Sequence, residues 1–501
     1  MATTTTTSTA ERTELTRVLP GLLLAMLLAQ LDAMIVSTAL PTVVAELGGV
    51  NQLSWVVTAY TLATLASTPL YGKLGDLYSR KWTLVFAISV FLLGSVLSGL
   101  AQSIGQLIAF RALQGIGAGG LLVGVISIIG RLATPRERGR FQSFIAALGA
   151  VAMIGGPLLG GFLTDVASWR WAFLINVPIG AVALFIVLTR LSHGGNKVEH
   201  RIDYLGALVI ASLAVVIVLV TSWGGVDYAW GSPQIIGLAI AGVVLLAVMI
   251  AVERKAAEPV LPLGLFKVRN FTVAQILTFL VGFAMYSLIA FLPLYQQAAH
   301  GYSATSSGLL LLPMLGASLV TTMYSGKLLT KTDNHRTILV GGGALFGGGL
   351  LLMLLVDQNT SPFLFTAYTI VFGLGLGVLF QVTVVTAQNS VDRVNMGVAS
   401  STVTFSRSIG GSFGVALFGA VFTGRLLDGL AKRLPADEYA ELRGSAGKLD
   451  PDNMRALSAP VHRDYVVSVA DATHNLFLWA APFGVLAFLI AFFVRAGKPA
   501  E

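Results

Sequence analysis

Apolar positions in this chain neither alternate nor settle on one helix face; they run on. Such stretches fall at about 18–40, 54–72, 83–101, 106–130, 141–163, 171–189, 204–222, 235–252, 271–296, 305–329, 337–356, 362–387, 397–424 and 474–494. Most span ~18–28 residues, and at ~1.5 Å per residue that length crosses a hydrocarbon core ~30 Å thick. Fourteen such stretches predict an all-α integral membrane protein with fourteen transmembrane helices. Polar residues gather in the joints, and two segments stand apart. Residues 1–17 form a threonine-rich stretch without an apolar core or a small-residue cleavage site, which reads as a disordered tail rather than a signal peptide. Segment 425–472 holds Pro435, Asp437, Glu438, Glu441, Arg443, Asp450, Pro451 and His462. It reads as a long connecting loop in which 436–443 could form a helix, interfacial or soluble.

The positions of the charges orient these helices. Only 11% of the 501 residues are charged and 55% are hydrophobic, well below the ~25% charge of soluble domains. With the N-terminus inside, inner segments carry 22 of the 32 lysines and arginines, while the six short outer loops carry only Arg170. Seven more lie in 425–472, where a long loop counts little, and two, Arg111 and Arg407, lie within spans. Both termini are therefore expected in the cytoplasm, and the membrane is expected to be the cell membrane. The net charge of +8 follows this topology and does not indicate a nucleic-acid partner. The absence of cysteine excludes disulfides, thiolate metal sites and cysteine nucleophiles.

A weak internal repeat divides the chain. Tyr71-Gly72-Lys73-Leu74 follows the second span and Ser325-Gly326-Lys327-Leu328 the tenth. If the two correspond, residues 18–190 form one six-helix half and 270–501 another. Two inserted helices and their linkers then occupy 191–269. Two parallel halves with a site at their interface are a known transporter plan.

Asp32 is the residue that most needs explaining. It lies about 14 residues into the first span, ~20 Å deep, where an ionised carboxyl costs roughly 3 kcal/mol or more unless paired, hydrated or protonated. Arg111 enters the fourth span from the other side and reaches a similar depth, so the two charges can meet. Arg111 could also snorkel to the interface. In the fifth span Gly149, Gly156 and Gly160 share one helix face, with Gly156 and Gly160 as a GxxxG pair. Pro157 removes a hydrogen bond beside them. Gly72, Asp76, Arg80 and Lys81 form a tight charged turn between the second and third spans. Arg407 lies ten residues into the thirteenth span, ~15 Å deep, where it either anchors helices or contacts anionic groups. Polar and aromatic residues that could line a cavity are Gln30, Met34, Tyr60, Phe283, Tyr286, Phe291, Tyr295, Phe380, Gln381 and Phe405, besides Arg407. Taken singly, each could equally be packing or lipid-facing. Aromatic faces attract lipophilic cations, and methionine adapts to varied shapes.

These stretches also carry a resemblance. The loop Gly72-Lys73-Leu74-Gly75-Asp76-Leu77-Tyr78-Ser79-Arg80-Lys81 resembles the signature loop of the major facilitator superfamily, with Ser79 in place of the usual glycine. Gly156-Pro157-Leu158-Leu159-Gly160-Gly161 resembles the antiporter motif of its exporters. Arg111 through Gly120 resembles the fourth-helix motif, in which that arginine is tied to proton transfer. Leu31-Asp32 through Leu40-Pro41 resembles the first-helix motif of the fourteen-span drug–proton antiporters of the EmrB/QacA type. The resemblance implies a major facilitator fold of two six-helix halves plus two inserted helices. It implies proton coupling at Asp32 and Arg111. It also implies conformational gating by Gly72, Asp76, Arg80, Lys81, Gly149, Gly156, Pro157, Gly160 and Gly161.

The expected activity is proton-coupled export of small lipophilic, often cationic, compounds by alternating access, without a cofactor or metal and with no catalytic residues. The expected partners are a small-molecule substrate, protons and membrane lipid, with the protein acting as a monomer. Export of one dedicated metabolite, lipid or siderophore is the alternative within transport. A non-transporting receptor or assembly protein is the alternative outside it. A nucleotide-binding Walker pattern and a metal-spaced histidine cluster are both missing. The tenth span, 308–330, has no carboxyl, which leaves Asp32 as the one acid placed deep in a span.

Overall fold

The computed structural model describes residues 9–47, 53–133, 135–192, 203–225, 228–256, 258–302, 304–332, 334–357, 360–435, 439 and 459–495. The helices in order are α1 (Thr9–Leu47), α2 (Leu53–Leu77), α3 (Arg80–Gly99), α4 (Ile104–Leu132) and α5 (Pro135–Val166). Next come the short α6 (Trp171–Leu174), α7 (Asn176–Arg190), α8 (Tyr204–Trp223), α9 (Pro233–Lys255) and α10 (Arg269–His300). The remainder are α11 (Ala304–Leu309), α12 (Leu312–Thr332), α13 (His335–Leu352), α14 (Pro362–Asn389), α15 (Met396–Arg433) and α16 (Ala459–Ala491). Several helix starts are written locally in the sequence. The side chains of Ser103, Asp203, Ser232, Asn334 and Ser361 each accept a first-turn N–H, and Pro233 and Pro362 follow two of these caps.

Among the described residues, 12 helices are long and apolar enough to cross a membrane, so the expected fourteen is not reached. The two expected spans that fall short, 54–72 and 141–163, lie in α2 and α5. α2 is 25 residues long and interrupted by threonines, Ser67 and Pro69, while α5 is 32 residues long with many of its side chains outside the described residues. Both helices pack against several others, and the surroundings of α2 accommodate its polar residues. α2 lies along α4, α15 and α8, and α5 lies along α1 and α12. Between helices, polar side chains can be satisfied by backbone. The hydroxyls of Thr64, Ser67 and Thr68 in α2 donate to the carbonyls of Tyr60 and Thr64.

The disordered tail expected through residue 17 also needs correcting, because α1 begins at Thr9. Leu15 and Val18 are buried, and Glu14 accepts a hydrogen bond from Ser192 N at 2.7 Å. Tertiary burial thus holds this first stretch helical. The loop expected at 425–472 is helical at both ends, since α15 continues to Arg433 and α16 starts at Ala459. Arg433 Nη2 ties the two together through Asp471 Oδ2 at 2.6 Å. Apart from Tyr439, the helix considered at 436–443 lies outside the described residues.

Helices α1–α7 pack among themselves, as do α10–α16. The contact between the two groups is reciprocal. The second helix of the first group, α2, lies on α15, and the second long helix of the other group, α12, lies on α5. The pair α8–α9 joins this seam through α8, which touches α2 and α15. α9 buries only 11% of its most apolar window, which leaves most of its surface for lipid.

The bundle is closed at one end. One core cluster joins Leu15, Tyr71, Leu132 and Ile145 of the first group to Val384, Ala387, Ala399 and Val403 of the second. No Cβ would fit at Gly72, which meets Ser401 and the Gly397 carbonyl, and at Gly130 a Cβ would lie 3.1 Å from Gln388 Nε2. At the opposite end, the described core residues fall into separate clusters. One, around Ile35, Val43 and Trp169, draws on the first group alone, and the large cluster around Phe365, Phe422 and Tyr465 draws on the second. The closed end is the one that the basic residues mark as cytoplasmic.

Candidate functional site

Asp32 is fully buried in α1, three side chains from α4 and α7 bond it, and Ser95 of α3 braces two of them. Arg111 Nη1 on α4 donates to Asp32 Oδ2 at 2.5 Å. Gln114, one turn further along α4, donates through Nε2 to Asp32 Oδ1 at 2.7 Å and to Ser95 Oγ at 3.1 Å. Asn176 at the start of α7 donates through Nδ2 to the same Oδ1 at 2.8 Å and to Ser95 Oγ at 2.9 Å. Ser95 on α3 donates its own hydroxyl to the Phe173 carbonyl at 2.8 Å. Gln114 Oε1 also accepts from Arg111 Nη1 at 2.8 Å. The carboxylate therefore meets one cation and two amides, the charge-assisted set that a buried anion requires.

The ring of Tyr60 completes the enclosure. Arg111 Cζ lies 4.0 Å from its centroid and 5.7 Å from that of Phe173. Glycines allow the helices to come this close. A Cβ at Gly94 would sit 2.5 Å from Gln114 N, and one at Gly115 would collide with the Tyr60 carbonyl. The matched depth of Asp32 and Arg111 thus becomes contact. Sequence reasoning did not find Gln114, Ser95 or Asn176. The available signals were single polar residues inside apolar runs and, for Gln114, its spacing three residues after Arg111.

A second arginine inside a span, half-buried, has a different setting. Arg407 on α15 stacks on Phe380 of α14, with Cζ 3.7 Å from the ring centroid. Its Nε and Nη2 are buried without a hydrogen-bond partner, and among the described residues it joins no ion pair. α10 crosses it closely, since a Cβ at Gly282 would strike the Arg407 carbonyl.

The remaining cavity candidates disperse. Gln30 and Met34 face α5: a Cβ at Gly149 would lie 2.7 Å from Gln30 Oε1, and one at Gly156 would strike Met34. Phe283 is buried in an aromatic group with Phe418 and Phe483, at ring distances of 5.1 and 4.4 Å. Tyr295 is buried against Phe365 and donates to the Asp357 carbonyl at 2.6 Å. Phe291 pairs with Phe422. Phe405 lies against residues of α2 and α8. Gln381 is buried, and Tyr286 is 42% exposed.

In the turn between α2 and α3, Arg80 Nε donates to Ser127 Oγ at 3.1 Å. Lys81 is buried and donates to the Leu188 carbonyl at 2.7 Å, placing its charge at the C-terminal end of α7. The side chains of Asp76 and Pro157 lie outside the described residues. Gly160 is buried, and the space beside Gly161 is open.

At the other end of α1, beyond the span, Glu46 accepts from Arg170 Nη1 at 2.5 Å and from Trp169 Nε1 at 2.7 Å. These two hydrogen bonds, Arg170 first, hold its carboxyl below its ordinary value of 4.5. Among the described residues, no group of three His, Cys, Asp or Glu side chains could hold a metal ion.

Comparison with known proteins follows this geometry. The sequence profile of the Major Facilitator Superfamily matches residues 22–415. An uncharacterized MFS-type transporter of Mycobacterium tuberculosis (strain CDC 1551 / Oshkosh) is 39% identical over 475 residues, which cover 95% of this chain and 69% of that protein. Multidrug resistance protein 3 of Bacillus subtilis (strain 168) is 38% identical over 441 residues, covering 88% and 85% of the two chains. Among solved structures, the proton:xylose symporter XylE matches with a TM-score of 0.63 at 13% identity, over 96% of this chain and 95% of that one.

Proposed function

The chain belongs to the Major Facilitator Superfamily and is a transporter, and on that premise we propose that it exports small lipophilic compounds, lipophilic cations among them, in exchange for protons. The buried Asp32–Arg111 pair carries this reading. It is a protonatable group at membrane depth, held by three donors from two helices of one half. Protonating Asp32 removes the anion that Arg111, Gln114 and Asn176 converge on, and the arrangement of α1, α4 and α7 then has to change. Cargo and proton compete in such a scheme because each favours a different arrangement of the same helices. The closed cytoplasmic end corresponds to the outward-facing state, in which Asp32 takes its proton as cargo leaves.

On this reading α2 and α5 also cross the membrane. The protein then has the fourteen spans of the drug–proton antiporter branch, with halves at 18–190 and 270–501 and the inserted pair within 191–269. Both termini are cytoplasmic, the membrane is the cell membrane, and the protein works as a monomer. Gly72 lets α2 come close to α15 across the seam between the halves, while Gly149 and Gly156 make room for Gln30 and Met34 where α5 packs on α1 within the first half. Arg80 and Lys81 fasten α3 to α4 and α7 at the closing end. The resemblance to a protein named for multidrug resistance supports breadth of cargo.

The test is Asp32→Asn in inverted membrane vesicles. Loss of pH-driven transport, with the variant still inserted in the membrane, is the expected result. Unchanged coupled transport would overturn the proposal.

A further inference from the structure

The two intramembrane arginines, Arg111 buried and Arg407 half-buried, are not served alike, and the difference bears on the cargo. Arg111 has Asp32. Arg407, about 15 Å into its span, has the face of Phe380 and no carboxylate among the described residues. Stacking offsets part of the cost of the charge but occupies the flat face of the guanidinium, and the N–H groups lie in its plane. Two of its nitrogens, Nε and Nη2, stay buried and unbonded. An uncompensated charge at this depth is among the costliest features a membrane helix can hold.

A second observation points the same way. Gln275, on α10, is buried at 5% exposure. Its Oε1 is taken by Ser406, whose hydroxyl donates to it at 3.0 Å from the residue next to Arg407. Its Nε2 is left without a partner. The acceptor side of this amide is used and the donor side is spare, so Gln275 and Arg407 both leave donors unmet. Donors without acceptors fit an anion and repel an ammonium group. Nearby, Tyr286 on α10 remains 42% exposed, and α10 and α15 meet closely where Gly282 faces the Arg407 backbone and Gly411 faces the Tyr286 ring.

We propose that Arg407, with Gln275, is the subsite for an acidic group on the cargo: an organic anion with an aromatic, apolar body and a single carboxylate. The guanidinium takes the carboxylate edge-on through Nε and Nη2, the two-pronged geometry that arginine favours. The inference rests on the export reading for the direction of transport, and it extends the cargo beyond neutral and cationic compounds. Asp32 does not compete for the acid, since its own charge has the same sign and Arg111 is already taken.

Equilibrium binding to the full-length protein in nanodiscs, without any pH gradient, tests it. The probes are 1-naphthaleneacetic acid and its neutral amide, which share one ring system and differ in charge. The acid should bind about tenfold more tightly than the amide, the range expected for hydrogen bonds to a charged group. Arg407→Gln should bring that ratio to about one, and Arg407→Lys should retain part of it. Equal binding of acid and amide by the parent protein overturns the proposal, and that comparison needs no variant to fold. A folded Arg407→Gln protein that keeps the preference overturns it too. Thermal stabilisation by phosphate or chloride as large as that by the acid would overturn the organic-anion assignment, in favour of an inorganic counter-ion. Proton coupling is read separately, from the Asp32→Asn vesicles, so a failure of either reading remains distinct from a failure of the other.

Discussion

Arg111 and Arg407 make the same demand on the fold and receive different answers. Each is a guanidinium inside the membrane-spanning part of the bundle, and each is stacked on an aromatic ring, Tyr60 in one case and Phe380 in the other. In the first half the charge is cancelled inside the protein, by a carboxylate that two amides also hold. In the second half it is not cancelled by any described residue. A charge closed within the protein can serve as a switch, because a proton suffices to open it. A charge left open can recognise something that arrives. The two halves share a helical plan and divide these tasks between them.

The largest effect that would sharpen this contrast is on stability. Arg111→Met leaves Asp32 buried without its cation, and breaking such a pair costs about 3–5 kcal/mol. Arg407→Met removes a charge that has no partner, and its stability should stay within about 1 kcal/mol of the parent or rise. Thermal unfolding of the purified proteins measures both, and equal losses would erase the distinction.

Next in size is Asn176→Ala. It strips one of the two amide donors from Asp32 Oδ1 and should cost about 1.5–3 kcal/mol as a lost bond to a charged acceptor. The proton-driven rate in vesicles should fall with it, and an unchanged rate would separate Asn176 from the switch. Gly282→Ala addresses the other arginine, because its new methyl group would strike the Arg407 carbonyl. A cost of about 1–3 kcal/mol from forcing α10 and α15 apart is expected. The same change at Gly161, where the space is open, should cost far less.

The smallest effect concerns pH. Glu46 is held ionised by Arg170 and Trp169, so its carboxyl titrates below 4.5 when folded. Its contribution is therefore complete above that value and is lost as pH falls through the depressed one. Trp169 fluorescence should change only in that acid range, and Glu46→Gln should remove the transition. The pair is surface-exposed, so overall stability should barely respond.

Much of this was legible from residue order. The run-on apolar stretches are helical over most of their length, and Asp32 and Arg111 do meet. Depth along a helix follows from counting residues, so two charges at one depth can be anticipated. Which polar residue in which neighbouring span completes the shell cannot be counted in this way. Ser95, Gln114 and Asn176 come together through helix rotations set by Gly94 and Gly115. The aromatic candidates show the same limit. Phe283 and Tyr295 looked equally suited to line a cavity, and both lie in the core of the second half. Apolarity alone does not separate lipid, core and cavity, since all three accept a phenyl ring.

By itself, then, the sequence determined the elements and their depth. Segment length and hydropathy act along one chain, and the bilayer imposes them residue by residue. Tertiary structure decided the partners. It drew Thr9 and its neighbours into α1 and closed one end of the bundle. It also paired one intramembrane arginine and left the other open. Those outcomes depend on which faces of separate helices meet, and small residues at the crossings set that geometry.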